Sequence, residues 1–362
     1  MTVLRHLRNQ YQNQTALLNF NSVALTYADL LDTVDGISAQ LGMANIGAKD
    51  VVAVIGHDQI SLVQCILATM NSAICAPLDS SSTLAELEKL LTQLQPVALV
   101  LDTDIESDET FELAEALSIP TLQLKTGLNG KASLNLSQPV ANKAPFKGPC
   151  YPRTTALILP SSGTTGVPKL IPLTQNNLLT SALSISESLQ LTRSDRCLNV
   201  MPLYHIHGLV GALLATLSSG GSVICAGKFD EQTFIKSLTK LDPTWYTAVP
   251  TIHSAVTREL SQSKTNKVAH RLRFVRSCSS ALHSDQFDAL SSTFNVPVIE
   301  AYGMTEASHQ IASNPLPPLA QKSGSVGLPC GAKVRLLDDN GNTIQTTNSV
   351  GEIAISLSLI HI

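Results

Sequence analysis

Apolar residues in the first part of the chain recur at two alternating spacings. LTYADLLDTVDGISAQL (25–41) repeats at helical intervals, VVAVIGH (51–57) is a short β-branched run, and SLVQCILATMNSA (61–73) is helical again. ICAPLD (74–79), TLAELEKLLTQL (83–94) and PVALVLD (96–102) continue the alternation. Short apolar strands separated by helices predict βαβ units and a mostly parallel sheet. Residues 126–154 are rich in Gly, Pro, Asn, Ser and Lys with little periodicity, and read as a surface connection. A second alternating block then runs from ALILP (156–160) to PVIEAYG (297–303), with helices expected at 176–189, 231–241, 251–260 and 284–294.

From Gly331 the pattern becomes β alternation around DDNGN, the chemistry of a tight hairpin. The expected fold is α/β, with two doubly wound α/β subdomains packed together, residues 1–150 and 151–330. Residues 331–356 would begin a small β subdomain. The tail LSLIHI (357–362) is what one frame of a transposon-derived sequencing adapter encodes, so an adapter-derived end is expected; an apolar strand fits the same residues.

Composition narrows the class. The 362 residues are 44% hydrophobic but only 4% aromatic, so aliphatic side chains must fill the core. Lysines and arginines number 24 against 28 acidic residues, a net charge of −4, which gives no electrostatic reason to expect nucleic acid or an anionic membrane as partner. Seven cysteines without a C-x-x-C pair, mostly in apolar runs, read as buried free thiols. With no signal-like or membrane-length apolar stretch, a cytosolic or organelle-matrix enzyme is expected, not a secreted one.

Three segments carry candidate chemistry. PSSGTTGVPK (160–169) places glycines, hydroxyls and one lysine between strand-like runs. Glycines let backbone N–H groups approach a ligand, and hydroxyls and lysine add donors and charge, which together suit a phosphate. The spacing is not that of a Walker A loop. Taken alone, it fits a solvated linker equally well. YGMTE (302–306) follows a strand-like run: Tyr offers a stacking face, Thr a donor, and Glu a ligand for Mg²⁺. In MPLYHIHGL (201–209), His205 and His207 lack an obvious third metal ligand and read as pocket-lining imidazoles.

In this order the three segments resemble the adenylate-forming superfamily, which includes acyl-CoA synthetases, 4-coumarate–CoA ligases, luciferases and peptide-synthetase adenylation domains. LTYADL (25–30) and GSVGLP (324–329) add to the match. WYTAVPTIH (245–253), RFVRSCSSAL (273–282) and MTEASHQIASNPLPP (304–318) are similar to the oxalate–CoA ligase branch.

The resemblance implies an ATP-dependent acid–CoA ligase, with ATP, Mg²⁺, CoA and a small carboxylic acid, oxalate first, as its ligands. Ser161, Ser162, Gly163, Thr164, Thr165, Gly166 and Lys169 would grip the nucleotide phosphates. Thr305 would touch the α-phosphate, Glu306 and Thr165 would serve Mg²⁺, and Tyr302, Ser280 and Ala281 would hold adenine. His205 would sit beside the reacting carboxylate, and His207, Ser279 and His309 would line the acyl pocket, where an imidazole can be cationic if the anion raises its pKa. His253 and Arg276 stay open between pocket and packing, and His283 is assigned to the surface. Leu170 stands where the family usually has glycine. The resemblance also implies a C-terminal α+β domain, a ribose-binding aspartate and a catalytic lysine that this chain does not contain, and so little or no full activity. A broad-specificity or 4-coumarate-like ligase and a non-catalytic nucleotide-binding fragment are the alternatives.

Overall fold

A computed structural model describes residues 1–21, 23–57, 59–102, 108–135, 150–161, 169–262 and 268–356. Two large sheets carry the architecture. The first runs Ala132–Asn135, Thr121–Thr126, Ala98–Asp102, Val51–Ile55, Ile74–Pro77, Thr155–Ser161, Lys169–Thr174 in spatial order, parallel except for its two edge strands. The second has a parallel centre of Val298–Met304, Phe274–Ser277, Trp245–Ala248, Arg196–Asn199, Ser222–Cys225 and Thr15–Leu18. Antiparallel strands His309–Ser313 and Leu328–Pro329 extend one edge, and Ala24–Thr26 the other.

The helices follow their sequence pattern. In Gln59–Ser72 every residue from Gln59 to Met70 is buried, as expected of a helix packed on all sides. Its neighbours form one core cluster that includes Val52 and Val54 of the first sheet and Leu17, Val223 and Trp245 of the second, so the two sheets share a core. By contrast Leu84–Leu94 buries only Leu87, Leu91 and Leu94, one stripe facing the first sheet's outer layer. Thr26, Thr83 and Thr174 each cap a helix and form reciprocal boxes with Asp29, Glu86 and Asn177. No helix among the described residues is long and apolar enough to cross a membrane. The seven cysteines are free; Cys150 and Cys330 are half-buried and the others buried.

Three expectations differ from the structure. Sheet membership does not follow a division at residue 150: Thr15–Leu18 and Ala24–Thr26 join the second sheet, and Thr155–Ser161 and Lys169–Thr174 join the first. Hydrophobic spacing identifies a strand but not the edge on which its connection lands. Within the stretch read as a surface connection, Ala132–Asn135 is an edge strand whose residues alternate buried and exposed. The DDNGN turn forms, with Asp338 accepting from the N–H groups of Asn340 and Asn342, and closes on an antiparallel bridge between Leu337 and Thr343. The full ladder along Lys333–Leu337 is made with the later Glu352–Ser356. Residues 357–362 lie outside the described residues.

Candidate active site

Strands Arg196–Asn199, Trp245–Ala248, Phe274–Ser277 and Val298–Met304 lie side by side and parallel, so their carboxyl ends open onto one edge. In open α/β sheets ligands bind in the crevice outside those ends. A cavity of about 820 Å³ lies there. His205 and His207 reach it from beyond the first of these strands, Thr251 and Ile252 from the second, Ser279 from the third, and Thr305 and Glu306 from the fourth.

Ser161 and Lys169 close the cavity from the other sheet. They face each other across the antiparallel pair Thr155–Ser161 and Lys169–Thr174, so both ends of the glycine-and-hydroxyl segment stand at the cavity wall. Ser162, Gly163, Thr164, Thr165 and Gly166, expected to bind phosphate, lie outside the described residues. Tyr302, Ser280 and Ala281, expected to hold adenine, do not line this cavity: Tyr302 packs beside Ala307, Ile311 and Ala332, and the other two are exposed just after Ser279.

The turn after Val298–Met304 is tightly specified. Thr305–Ala307 is one 3₁₀ turn, and Ser308 and His309 leave it with φ of 56° and 105°. A non-glycine residue at φ 105° is held there by its surroundings. Ser181 donates to the Ser308 carbonyl at 2.6 Å, and His309 then begins the antiparallel strand that pairs with Gly303 and Met304.

His207 and His309 stack with ring centroids 5.1 Å apart. Nδ1 of His207 lies 3.0 Å from the Ser279 hydroxyl and its Nε2 lies 2.6 Å from that of Thr247. Both rings are buried, at 2% and 1% exposure. Burial first, then repulsion from His309 and Arg276, holds His207 well below the ordinary histidine range. Burial and Arg276 do the same for His309. Burial thus opposes a cationic imidazole at these two positions, and Arg276 places a positive charge behind them. His205 is exposed at the cavity surface yet partly enclosed by the protein around it, which lowers its pKa against an opposing pull from Asp79.

His253 belongs to packing. It is fully buried, away from the cavity, with the Tyr246 hydroxyl 3.1 Å from Nδ1, and burial pushes its pKa down to about 4. Above pH 6.5 neither the folded nor the unfolded chain protonates this ring; below it the unfolded chain gains a proton that the folded chain refuses until about pH 4. Stability is thus complete above about pH 6.5 and falls between 6.5 and 4, by about 3 kcal/mol from His253 alone. His207 and His309 act in the same direction. The melting temperature is expected to drop as pH is lowered from 7.5 to 5; a flat profile would remove the neutral-imidazole assignment. His283 is exposed before helix Ser284–Phe294, as expected.

Thr247 was not singled out in the sequence, although it lies inside WYTAVPTIH. All four residues of Trp245–Ala248 are buried, so nothing in its spacing separates a hydroxyl bonded to His207 from a core threonine.

No group of three or more His, Cys, Asp or Glu that could hold a metal occurs among the described residues. Glu306 offers a single carboxylate at the cavity wall. That donor set fits Mg²⁺, which is commonly held by one or two carboxylates while substrate phosphates and waters complete its octahedron.

The sequence profile of the AMP-binding enzyme family matches residues 4–359. The chain belongs to the AMP-binding enzyme family. It is 35% identical to an oxalate–CoA ligase of Saccharomyces cerevisiae, over 95% of this chain and 68% of that protein. It is also 35% identical to an oxalate–CoA ligase of Arabidopsis thaliana, over 98% and 70%. Among solved structures, ATP-bound MatB from Rhodopseudomonas palustris superposes with a TM-score of 0.84 at 25% identity, covering 98% of this chain and 70% of that one. The AMP-binding fold thus accounts for both sheets and for the cavity at their facing ends.

Proposed function

We propose that this AMP-binding site activates a short dianionic acid, oxalate first, with ATP and transfers the acyl group to the thiol of CoA. The observation that carries the reading is the mixed lining of one cavity. Ser161, Lys169, Thr305 and Glu306, suited to phosphates and a cation, stand in the same wall as Ser279, His207 and His309. The oxalate–CoA ligase relatives support the choice of acid.

On this reading the acid's reacting carboxylate, beside His205, attacks the α-phosphorus of ATP. An acyl–phosphate anhydride forms and pyrophosphate leaves; the CoA thiolate then attacks the acyl carbon and AMP leaves. Lys169 and the Ser161 hydroxyl hold the outgoing phosphates, and Thr305 donates to the α-phosphate, so the protein supplies position and charge rather than a covalent bond. Glu306 would hold Mg²⁺, whose charge, when bound, offsets that of the phosphates. Ser279, oriented by His207, and His309 meet the acid's second carboxylate with donors instead of apolar depth.

The test is a carboxylate panel titrated into the protein with a non-hydrolysable ATP analogue and Mg²⁺. Oxalate is expected to bind best. His207→Phe removes the bonds to Ser279 and Thr247, and is expected to weaken oxalate about 10- to 100-fold while a longer monoacid loses far less. Equal losses would contradict the pocket assignment. A second reading, a longer or aromatic acid, is favoured by an adjoining, mostly apolar cavity of about 360 Å³ that shares Pro202, Tyr204 and Ile252 with the first. Tighter binding of such an acid than of oxalate would select it.

A further inference from the structure

Arg276 is the third residue of the fully buried strand Phe274–Ser277, and it is 0% exposed. Burying a guanidinium is costly unless an anion pairs with it. Arg276 forms no ion pair among the described residues. Its hydrogen-bond acceptors are neutral: Nη1 donates to Thr247 at 3.1 Å, and Nη2 to Gln310 at 2.9 Å and to His309 Nε2 at 3.2 Å. Nε meets no acceptor. Among the described residues no carboxylate pairs with this charge, which lies directly behind the polar wall of the cavity.

Its hydrogen bonds have a direction. A guanidinium only donates, so His309 Nε2 accepts and the ring proton sits on Nδ1. Thr247 accepts from Arg276, and its own proton is free to go to His207 Nε2 at 2.6 Å. His207 then carries its proton on Nδ1, gives it to Ser279 at 3.0 Å, and leaves the Ser279 hydroxyl proton for the cavity. Gln310 is held in a matching sense, since its amide nitrogen donates to Ser188 at 2.9 Å. The local backbone makes room for this stack: His207–Leu214 is a π-helical segment, and a Cβ on its Gly211 would lie 2.5 Å from His309 Cδ2.

We propose that Arg276 is a positioning residue whose uncompensated charge selects a dianionic acid, acting through Thr247, His207 and His309 to aim hydrogen-bond donors at the acid's second anionic group. This rests on the acid-activating reading of the cavity. The anion supplies the counter-charge that the described residues do not, and a monoanion, whose one carboxylate is committed to the reaction, leaves that charge unanswered.

The experiment compares oxalate with acetate by calorimetry, on the whole chain with a non-hydrolysable ATP analogue and Mg²⁺, alongside ¹⁵N-histidine spectra. Wild type is expected to favour oxalate and to show His207 and His309 protonated on Nδ1. Arg276→Gln is expected to weaken oxalate about 30-fold or more and acetate less than about threefold. Thr247→Val keeps the volume and the charge but cuts the link to His207; it is expected to weaken oxalate about tenfold and to release the His207 tautomer. Wild type binding neither acid would overturn the proposed function and this inference together. Oxalate binding by wild type with equal losses of both acids in folded Arg276→Gln would overturn the inference alone. Should that variant not fold, unchanged oxalate affinity in Thr247→Val, or an Nε2-protonated His309 in wild type, would overturn it.

Discussion

Glu306→Ala is expected to remove the Mg²⁺ dependence of ATP binding and to lower acid-dependent ATP–pyrophosphate exchange about 100-fold or more. The carboxylate stands on the cavity wall, in the 3₁₀ turn that follows Val298–Met304. No cluster of metal-ligating side chains among the described residues offers a substitute. Because the side chain is only half-buried, the melting temperature should hardly change, which separates lost chemistry from lost folding. Unchanged Mg²⁺ dependence would remove Glu306 from the metal role. Loss of oxalate binding along with loss of folding would show that the turn, rather than the carboxylate, had been damaged.

Gly303→Ala is expected to have the largest effect on stability, about 3 kcal/mol. A Cβ at Gly303 would lie 2.5 Å from the His309 carbonyl carbon and closer still to its oxygen. Both atoms are backbone, so no side chain can rotate away. Strands Val298–Met304 and His309–Ser313, paired at Gly303 with Gln310 and at Met304 with His309, would have to part. His309 already sits at φ 105° and contacts Arg276, so molecules that fold should also lose oxalate affinity. Denaturant unfolding and calorimetry on the same sample check both effects. A melting temperature within about a degree of wild type would contradict the close approach. The glycine of YGMTE is thus explained by the strand packed against it rather than by turn flexibility.

Much of this was legible in the sequence, for identifiable reasons. Helical and strand spacing found Leu84–Leu94, Glu231–Lys240 and Ser284–Phe294, because each exposes one face and buries another. His205, His207, Ser279, Thr305, Glu306 and His309 were picked out by motif and converge on one cavity, because each follows the carboxyl end of a strand in one parallel sheet or starts the strand after it. Which sheet a strand joins was hidden, since Thr15–Leu18 pairs with Ser222–Cys225, far along the chain. The π-helical segment was hidden too, because His207–Leu214 is buried all round and its apolar residues show no face. Arg276 stayed open between pocket and packing, because the four residues of Phe274–Ser277 do not themselves say what surrounds a charged side chain there. What spacing could not supply was the neutrality of its neighbours, which depends on residues as distant in sequence as His207 and His309.

The most direct measurement is a crystal structure of the protein with a non-hydrolysable ATP analogue, Mg²⁺ and oxalate. Phosphates are expected between Lys169 and Thr305, the metal on Glu306, and one oxalate carboxylate against Ser279 and the His207–His309 pair. Nucleotide bound at another face, or oxalate seated away from that pair, would contradict this arrangement.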